Sequence, residues 1–164
     1  MRHAYSIDEV FTIAEQIERN GARFYARAAD LVQDPEVSAA LHRLAEWEAG
    51  HETTFAGMRA RAATAQSAGT WDPEGEAEAY LHAIAGDYVF RAKNHPADTI
   101  TGKESAQEIY RLALQLEKDA IVFYQGLVGV MSDPDDRALL RALIAEEMSH
   151  VVFLVGQLGA LSED

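Results

Sequence analysis

The 164-residue chain contains no cysteine. Disulfides, thiolate zinc sites, cysteine nucleophiles and Cys-ligated iron–sulfur centres are therefore excluded, and any metal must be held by oxygen and nitrogen. Proline and glycine are scarce, at four and eleven residues, too few for a collagen-like or disordered chain. Basic residues are outnumbered, 14 Lys and Arg against 27 Asp and Glu, giving a formal net charge of -13. Such a surface repels phosphate backbones and anionic lipid, which argues against nucleic-acid and membrane-surface roles. No run approaches the roughly 20 apolar residues of a membrane span. The Met1-Arg2-His3-Ala4-Tyr5 start lacks the apolar core of a signal peptide, so a cytoplasmic location is the expectation.

What is present fits one soluble domain over residues 1–164: a 48% hydrophobic share, a 25% charged share and length enough for a substantial core. The chain also repeats itself. At an offset of 99 residues, Ser6 to His51 lies over Ser105 to His150 without a gap, and 14 of the 46 positions are identical. Chance would give roughly three at ordinary composition. The matched positions include Glu18 and Glu117, Tyr25 and Tyr124, Glu48 and Glu147, and His51 and His150.

Each copy carries the same helix punctuation. Ser6-Ile7-Asp8-Glu9 and Ser105-Ala106-Gln107-Glu108 fit the capping box, in which a hydroxyl and a carboxylate satisfy orphan amides reciprocally. Asp34-Pro35 and Asp133-Pro134 place a capping carboxylate before a proline at the first helical position, where a missing N–H costs nothing. Val37, Leu41, Leu44, Glu48, His51, Phe55 and Met58 then follow one helical face, as do Leu140, Leu143, Glu147, His150, Leu154, Leu158 and Leu161. The spacing predicts a helical hairpin over 6–65, a crossover over 66–104 and a second hairpin over 105–161. Within the crossover, Glu74 to Phe90 has helical composition and Asn94 to Gly102 reads as loop. Two hairpins joined by a long crossover predict an all-α, ferritin-like four-helix bundle, and no strand signal competes.

The chemistry lies in what interrupts the apolar stripes. Glu48 and His51, and again Glu147 and His150, stand at i and i+3 on core-facing stripes, while Glu18 and Glu117 continue to Tyr25 and Tyr124 two turns along. Four buried carboxylates would oppose folding unless a cation compensated, and no Lys or Arg lies on these stripes. Two divalent ions supply four positive charges against four negative ones, with both histidines as neutral ligands. A lone E-x-x-H is a weak signal, expected about half a time by chance in this composition. Two of them on apolar faces, in register with the caps and the Glu-x6-Tyr pairs, point to a di-metal carboxylate site. The duller reading of Tyr25 and Tyr124 is core filling, with a hydroxyl at a backbone carbonyl. His3, His42, His82 and His95 lack this context and read as surface or loop residues. Glu46, Glu52 and Glu146 lie off the stripe and read as solvated residues with local Arg partners.

The segments Glu18-Arg-Asn-Gly-Ala-Arg-Phe-Tyr25, Leu44-Ala-Glu-Trp-Glu48-Ala-Gly-His51, Glu117-Lys-Asp-Ala-Ile-Val-Phe-Tyr124 and Glu146-Glu147-Met-Ser-His150 resemble the rubrerythrin-like branch of the ferritin superfamily. The resemblance implies that Glu48 and Glu147 bridge two iron ions, that Glu18 and Glu117 are terminal ligands, and that His51 and His150 each bind one ion. It implies that Tyr25 and Tyr124 hydrogen-bond ligand carboxylates and donate electrons to oxidised states of the centre. Two departures stand out. Position 120 is Ala where many rubrerythrins carry a further Glu, and no Cys-rich rubredoxin domain is present. Bacterioferritin shares the ligand set, but the slot for its haem-binding Met in the second helix holds Ala49 and Gly50, so no haem is expected.

The resemblance thus implies an oxidoreductase that reduces hydrogen peroxide or dioxygen with electrons from an external, rubredoxin-like donor. Ferroxidase and iron storage is the alternative, and a non-turnover site holding zinc or manganese is a third reading. A homodimer is the expected assembly.

Overall fold

A computed structural model of the chain describes residues 7–64, 79, 80, 83 and 96–161. They form α1 (Ile7–Leu31), α2 (Pro35–Thr64), α3 (Pro96–Thr99), α4 (Ala106–Val130) and α5 (Pro134–Ala160), with no strand among the described residues. The expected all-helical bundle is what the chain adopts.

The helix starts follow the punctuation. Asp34 Oδ1 accepts from the amides of Glu36 and Val37 at 2.8 and 3.2 Å, and Asp133 accepts from those of Asp135 and Asp136 at 2.8 and 3.1 Å. The Ser105–Glu108 capping box closes in both directions. Its counterpart at Ser6 lies outside the described residues. Losing an N-cap acceptor typically costs about 1 kcal/mol, so Asp133→Ala is expected to lower Tm by about 2–4 °C for a chain of this size, which a calorimetric scan would check.

The core divides into two apolar clusters. One gathers Phe11, Phe55, Met58, Phe123, Leu127, Leu140 and Ile144; the other gathers Phe24, Leu41, Leu44, Ala97, Ile100, Tyr110 and Leu154. The order along each long helix gives its direction. α1 and α5 run from the first cluster to the second, whereas α2 and α4 run from the second to the first. α2 therefore ends at the opposite end of the bundle from the start of α4, and the chain between them must span its length. That requirement is why the crossover is long.

The expected stripe is realised on α2, where Val37, Leu41, Leu44, Glu48, His51, Phe55 and Met58 are all buried. On α5 burial holds to Leu154 and weakens at Leu158 and Leu161. The crossover departs from expectation in one place. Pro96–Thr99, read as loop, forms the single turn α3, with the Thr99 hydroxyl donating to Pro96 O at 2.6 Å. Four residues are too few to leave a periodic signal, and the turn is held by Ala97 and Ile100, which bury into the second cluster. Gly102, at φ +86°, follows it in the left-handed region that favours glycine. Apart from Tyr80 and residues 79 and 83, the expected helix over Glu74 to Phe90 lies outside the described residues.

Candidate metal centre

Between the two apolar clusters, each long helix turns a polar side chain inward. Glu18 comes from α1, Glu48 and His51 from α2, Glu117 from α4, and Glu147 and His150 from α5, all at 5% exposure or less. The six sequence-predicted residues thus meet in one buried layer. Glu18, Glu48, His51 and Glu147 bring one oxygen or nitrogen each within 4.8 Å of one another, and so do Glu48, Glu117, Glu147 and His150. The two groups share Glu48 and Glu147. That is the arrangement in which two carboxylates can bridge a pair of ions, each ion having a further carboxylate and one imidazole.

Most of the contacts obey the repeat, and His150 Nδ1 lies in addition 3.1 Å from Glu147 Oε2. His51 Nδ1 lies 2.8 Å from Glu147 Oε1 and 3.6 Å from Glu18 Oε2; His150 Nδ1 lies 3.2 Å from Glu48 Oε1 and 3.6 Å from Glu117 Oε2. The Tyr25 hydroxyl donates to Glu117, and that of Tyr124 donates to Glu18. Both tyrosines are fully enclosed, and the reciprocal exchange crosses between the hairpins. The tyrosines therefore bond the candidate ligands rather than a backbone carbonyl. Tyr25→Phe is expected to keep the stoichiometry of metal binding but weaken affinity about 10- to 100-fold, because a ligand carboxylate loses the donor that orients it. A competitive chelator titration would measure this.

Within this layer Glu18 Oε2, Glu48 Oε1, both oxygens of Glu147 and the Nδ1 atoms of His51 and His150 are buried without a hydrogen bond. Their close approaches are those of charged groups facing one point, not of a satisfied network. Buried polar atoms left so are costly, and a cation is the group that would satisfy all of them at once. The hard oxygen and imidazole donor set fits divalent first-row metals.

The electrostatics carry the same strain. Burial pushes Glu48 well above the ordinary carboxylate range, and Glu18 and Glu117 push it further. Burial, offset by His150 and reinforced by Glu147, raises Glu117 to about 7. Burial alone would lower His51, but the Glu147 and Glu18 carboxylates outweigh it and carry it to about 11. For His150 burial is likewise outweighed by Glu117 and Glu147, to about 10. Glu147 moves the other way, to about 2: the two histidines overcome the effect of its burial. Without metal these shifts favour protons on both imidazoles, at the positions the ions would take.

Among the described residues, two openings reach the centre. A cavity of about 80 Å³ is lined by Asn20, Gly21, Tyr25, Glu48, Glu117, Asp119 and Ala120, room for two or three molecules the size of water at about 30 Å³ each. A Cβ on Gly21 would come within 3.3 Å of Glu48 Oε2, so the absent side chain lets α1 approach that carboxylate. The second opening, of about 320 Å³, lies over His51 and includes Glu46, Trp47 and Glu146.

One residue departs from the sequence reading and another plays a part that no sequence signal singled out. Glu146, taken as a solvated acid with an Arg partner, lies 2.9 Å from His51 Nε2, on the side of the ring away from the centre. Trp47 stacks on His150 at 5.1 Å between ring centroids and 9° between planes. Neither lies on an inward stripe, so periodicity passed them over; the available signal was that the repeat breaks here, since residues 47 and 146 are equivalent. Glu52 does pair with an arginine, Arg19, at 2.6 Å. Glu46 and His42 are exposed, and His3, His82 and His95 lie outside the described residues.

No family model and no curated protein matches the chain. Among solved structures, a candidate ferritin-like diiron-carboxylate protein from Thermotoga maritima is similar, with a TM-score of 0.68, 20% identity, and coverage of 96% of this chain and 97% of that one. At that identity the likeness is one of fold, and the chain has the ferritin-like helical-bundle fold.

Proposed function

We propose that the chain is a di-iron carboxylate oxidoreductase, rubrerythrin-like in its chemistry, which reduces hydrogen peroxide or dioxygen with electrons from an external donor protein. The observation that carries this reading is the convergence of six buried ligand residues into two groups sharing Glu48 and Glu147. The diiron-carboxylate description of the Thermotoga protein supports iron over zinc or manganese. A pair of irons, when bound, supplies one electron each to an O–O bond, so that hydrogen peroxide, two electrons and two protons yield two waters.

The protein's own groups would do the rest. Glu48 and Glu147 would bridge, Glu18 and Glu117 would close the outer positions, and His51 and His150 would each hold one ion through Nδ1. Tyr25 and Tyr124 fix the Glu117 and Glu18 carboxylates and each keep a proton within the buried layer. The apolar clusters close the layer above and below. The cavity beside Gly21 and Ala120 admits a molecule of two heavy atoms next to Glu48 and Glu117.

The test is anaerobic loading with two Fe(II) per chain, followed by comparison of oxidation by stoichiometric peroxide and by dissolved oxygen. Much faster oxidation by peroxide is the expected result. Faster oxidation by oxygen, with Fe(II) consumed beyond two per chain, would overturn it in favour of ferroxidase and storage.

A further inference from the structure

The repeat makes the two ion positions equivalent in their direct ligands, but the structure does not treat their histidines alike. Behind His51, the Glu146 carboxylate lies 2.9 Å from Nε2. Behind His150 the equivalent place is filled by Trp47, whose indole covers the ring face. Among the described residues no acceptor bonds the outer nitrogen of His150. Trp47 in turn stands against Phe153 at 6.2 Å, and Arg43 lies 5.6 Å from the Phe153 ring. The surroundings of His51 are thus acidic, and those of His150 aromatic and cationic.

From this difference we infer that the two ion positions are filled in order, the His51 position first, and that Glu146 is the positioning residue that sets the order. The inference rests on the di-metal reading above. A carboxylate accepting from Nε2–H fixes the tautomer that leaves the Nδ1 lone pair free, orients the ring and raises its basicity toward a metal. Glu146 also adds a negative charge one imidazole away from the ion. An indole stacked on His150 constrains the ring but accepts no proton from its outer nitrogen and adds no charge. Loss of such an outer partner typically weakens binding about 10- to 100-fold, and that is the expected separation between the two positions.

The repeat supplies the controls. Glu146→Gln removes the carboxylate from the His51 side, and Trp47→Glu places one on the His150 side. Glu146 is 62% exposed in its side chain and Trp47 43% exposed, so neither substitution opens a core cavity. The readout is the ¹⁵N spectrum of histidine-labelled protein titrated with zinc alone, in which coordination shifts each Nδ1 resonance separately. In the unmodified protein the first equivalent is expected to shift His51 ahead of His150. In Glu146→Gln that lead is expected to vanish, and Trp47→Glu with Glu146→Trp is expected to reverse it. Parallel shifts in the unmodified protein, or an order unchanged by Glu146→Gln, would overturn the inference while leaving two-ion binding intact. No shift of either histidine would overturn the di-metal reading itself.

Discussion

Replacing either Glu48 or Glu147 with alanine is expected to abolish tight binding of both ions, not of one. Each carboxylate belongs to both ligand groups, so its loss takes a ligand from each position and removes one of four negative charges from the layer. The structure around them cannot substitute. Glu147 is completely enclosed and Glu48 5% exposed, and no other carboxylate belongs to both groups. The effect should be larger than for the outer pair: Glu18→Ala or Glu117→Ala removes a ligand from one group only and is expected to leave one ion bound. Metal content after desalting separates the cases, with two ions in the unmodified chain, one in the outer variants and none in the bridging ones. Retention of two tight ions in Glu48→Ala or Glu147→Ala would refute the bridging assignment.

A glutamine at position 48 separates metal binding from stability with metal absent. Glu48 is pushed up by burial and by its carboxylate neighbours, so replacing it with Gln relieves repulsion while conserving volume. Metal-free Glu48→Gln is therefore expected to melt no lower than the metal-free parent, although it has lost the metal-induced gain. That gain is about 4 kcal/mol per ion at a thousandfold excess over Kd, or roughly 8–16 °C per ion in a chain of this size. Thermal scans with and without metal would show the gain in the parent and its absence in the variant.

Much of this architecture was legible because it is written twice. A single E-x-x-H on a helix carries little weight, but a second one 99 residues on, in register with Asp-Pro caps and Glu-x6-Tyr pairs, fixes which face of four helices is buried. The tyrosines were legible as neighbours of the ligands, since seven residues return a side chain to the same face. What stayed hidden depends on how two helices are rotated against each other. Glu146 lies off its own helix's inward stripe yet reaches His51 on α2, and only the packed pair shows that its carboxylate and the outer nitrogen meet. Trp47 was hidden for the same reason. The turn at Pro96–Thr99 was missed because tertiary burial of Ala97 and Ile100, not local periodicity, holds it. Local patterns therefore sufficed for the ligands, which interrupt an apolar stripe, and failed for the groups behind them, which interrupt nothing.

Metal affinity should rise steeply with pH, and the stability gained from metal should widen with it. In the metal-free protein His51 and His150 titrate near 11 and 10, Glu117 near 7, and Glu48 well above its ordinary value. At neutral pH the layer therefore holds two protons, one on each imidazole, that two ions must displace. Each released proton gives about a tenfold change in the overall constant per pH unit, so that two amount to about a hundredfold between pH 6 and 7. The folding equilibrium moves the opposite way when metal is absent. A group whose pKa is raised by folding stabilises the native state fully below its unfolded value and loses that contribution as pH climbs through the folded one. Glu117 loses its share between 4.5 and about 7, and His51 between 6.5 and about 11. Glu147, lowered to about 2, has the reverse sign but acts only below 4.5. From pH 5 to 8, then, these groups weaken the metal-free protein while the metal is bound ever more tightly. The difference in Tm between zinc-loaded and chelator-treated protein is expected to grow across that range, and calorimetric titration in buffers of different ionisation enthalpy is expected to show about two protons released per two ions at pH 7. A Tm difference flat from pH 5 to 8 would mean that protons do not hold this layer together, and that some other cation does so even before metal arrives.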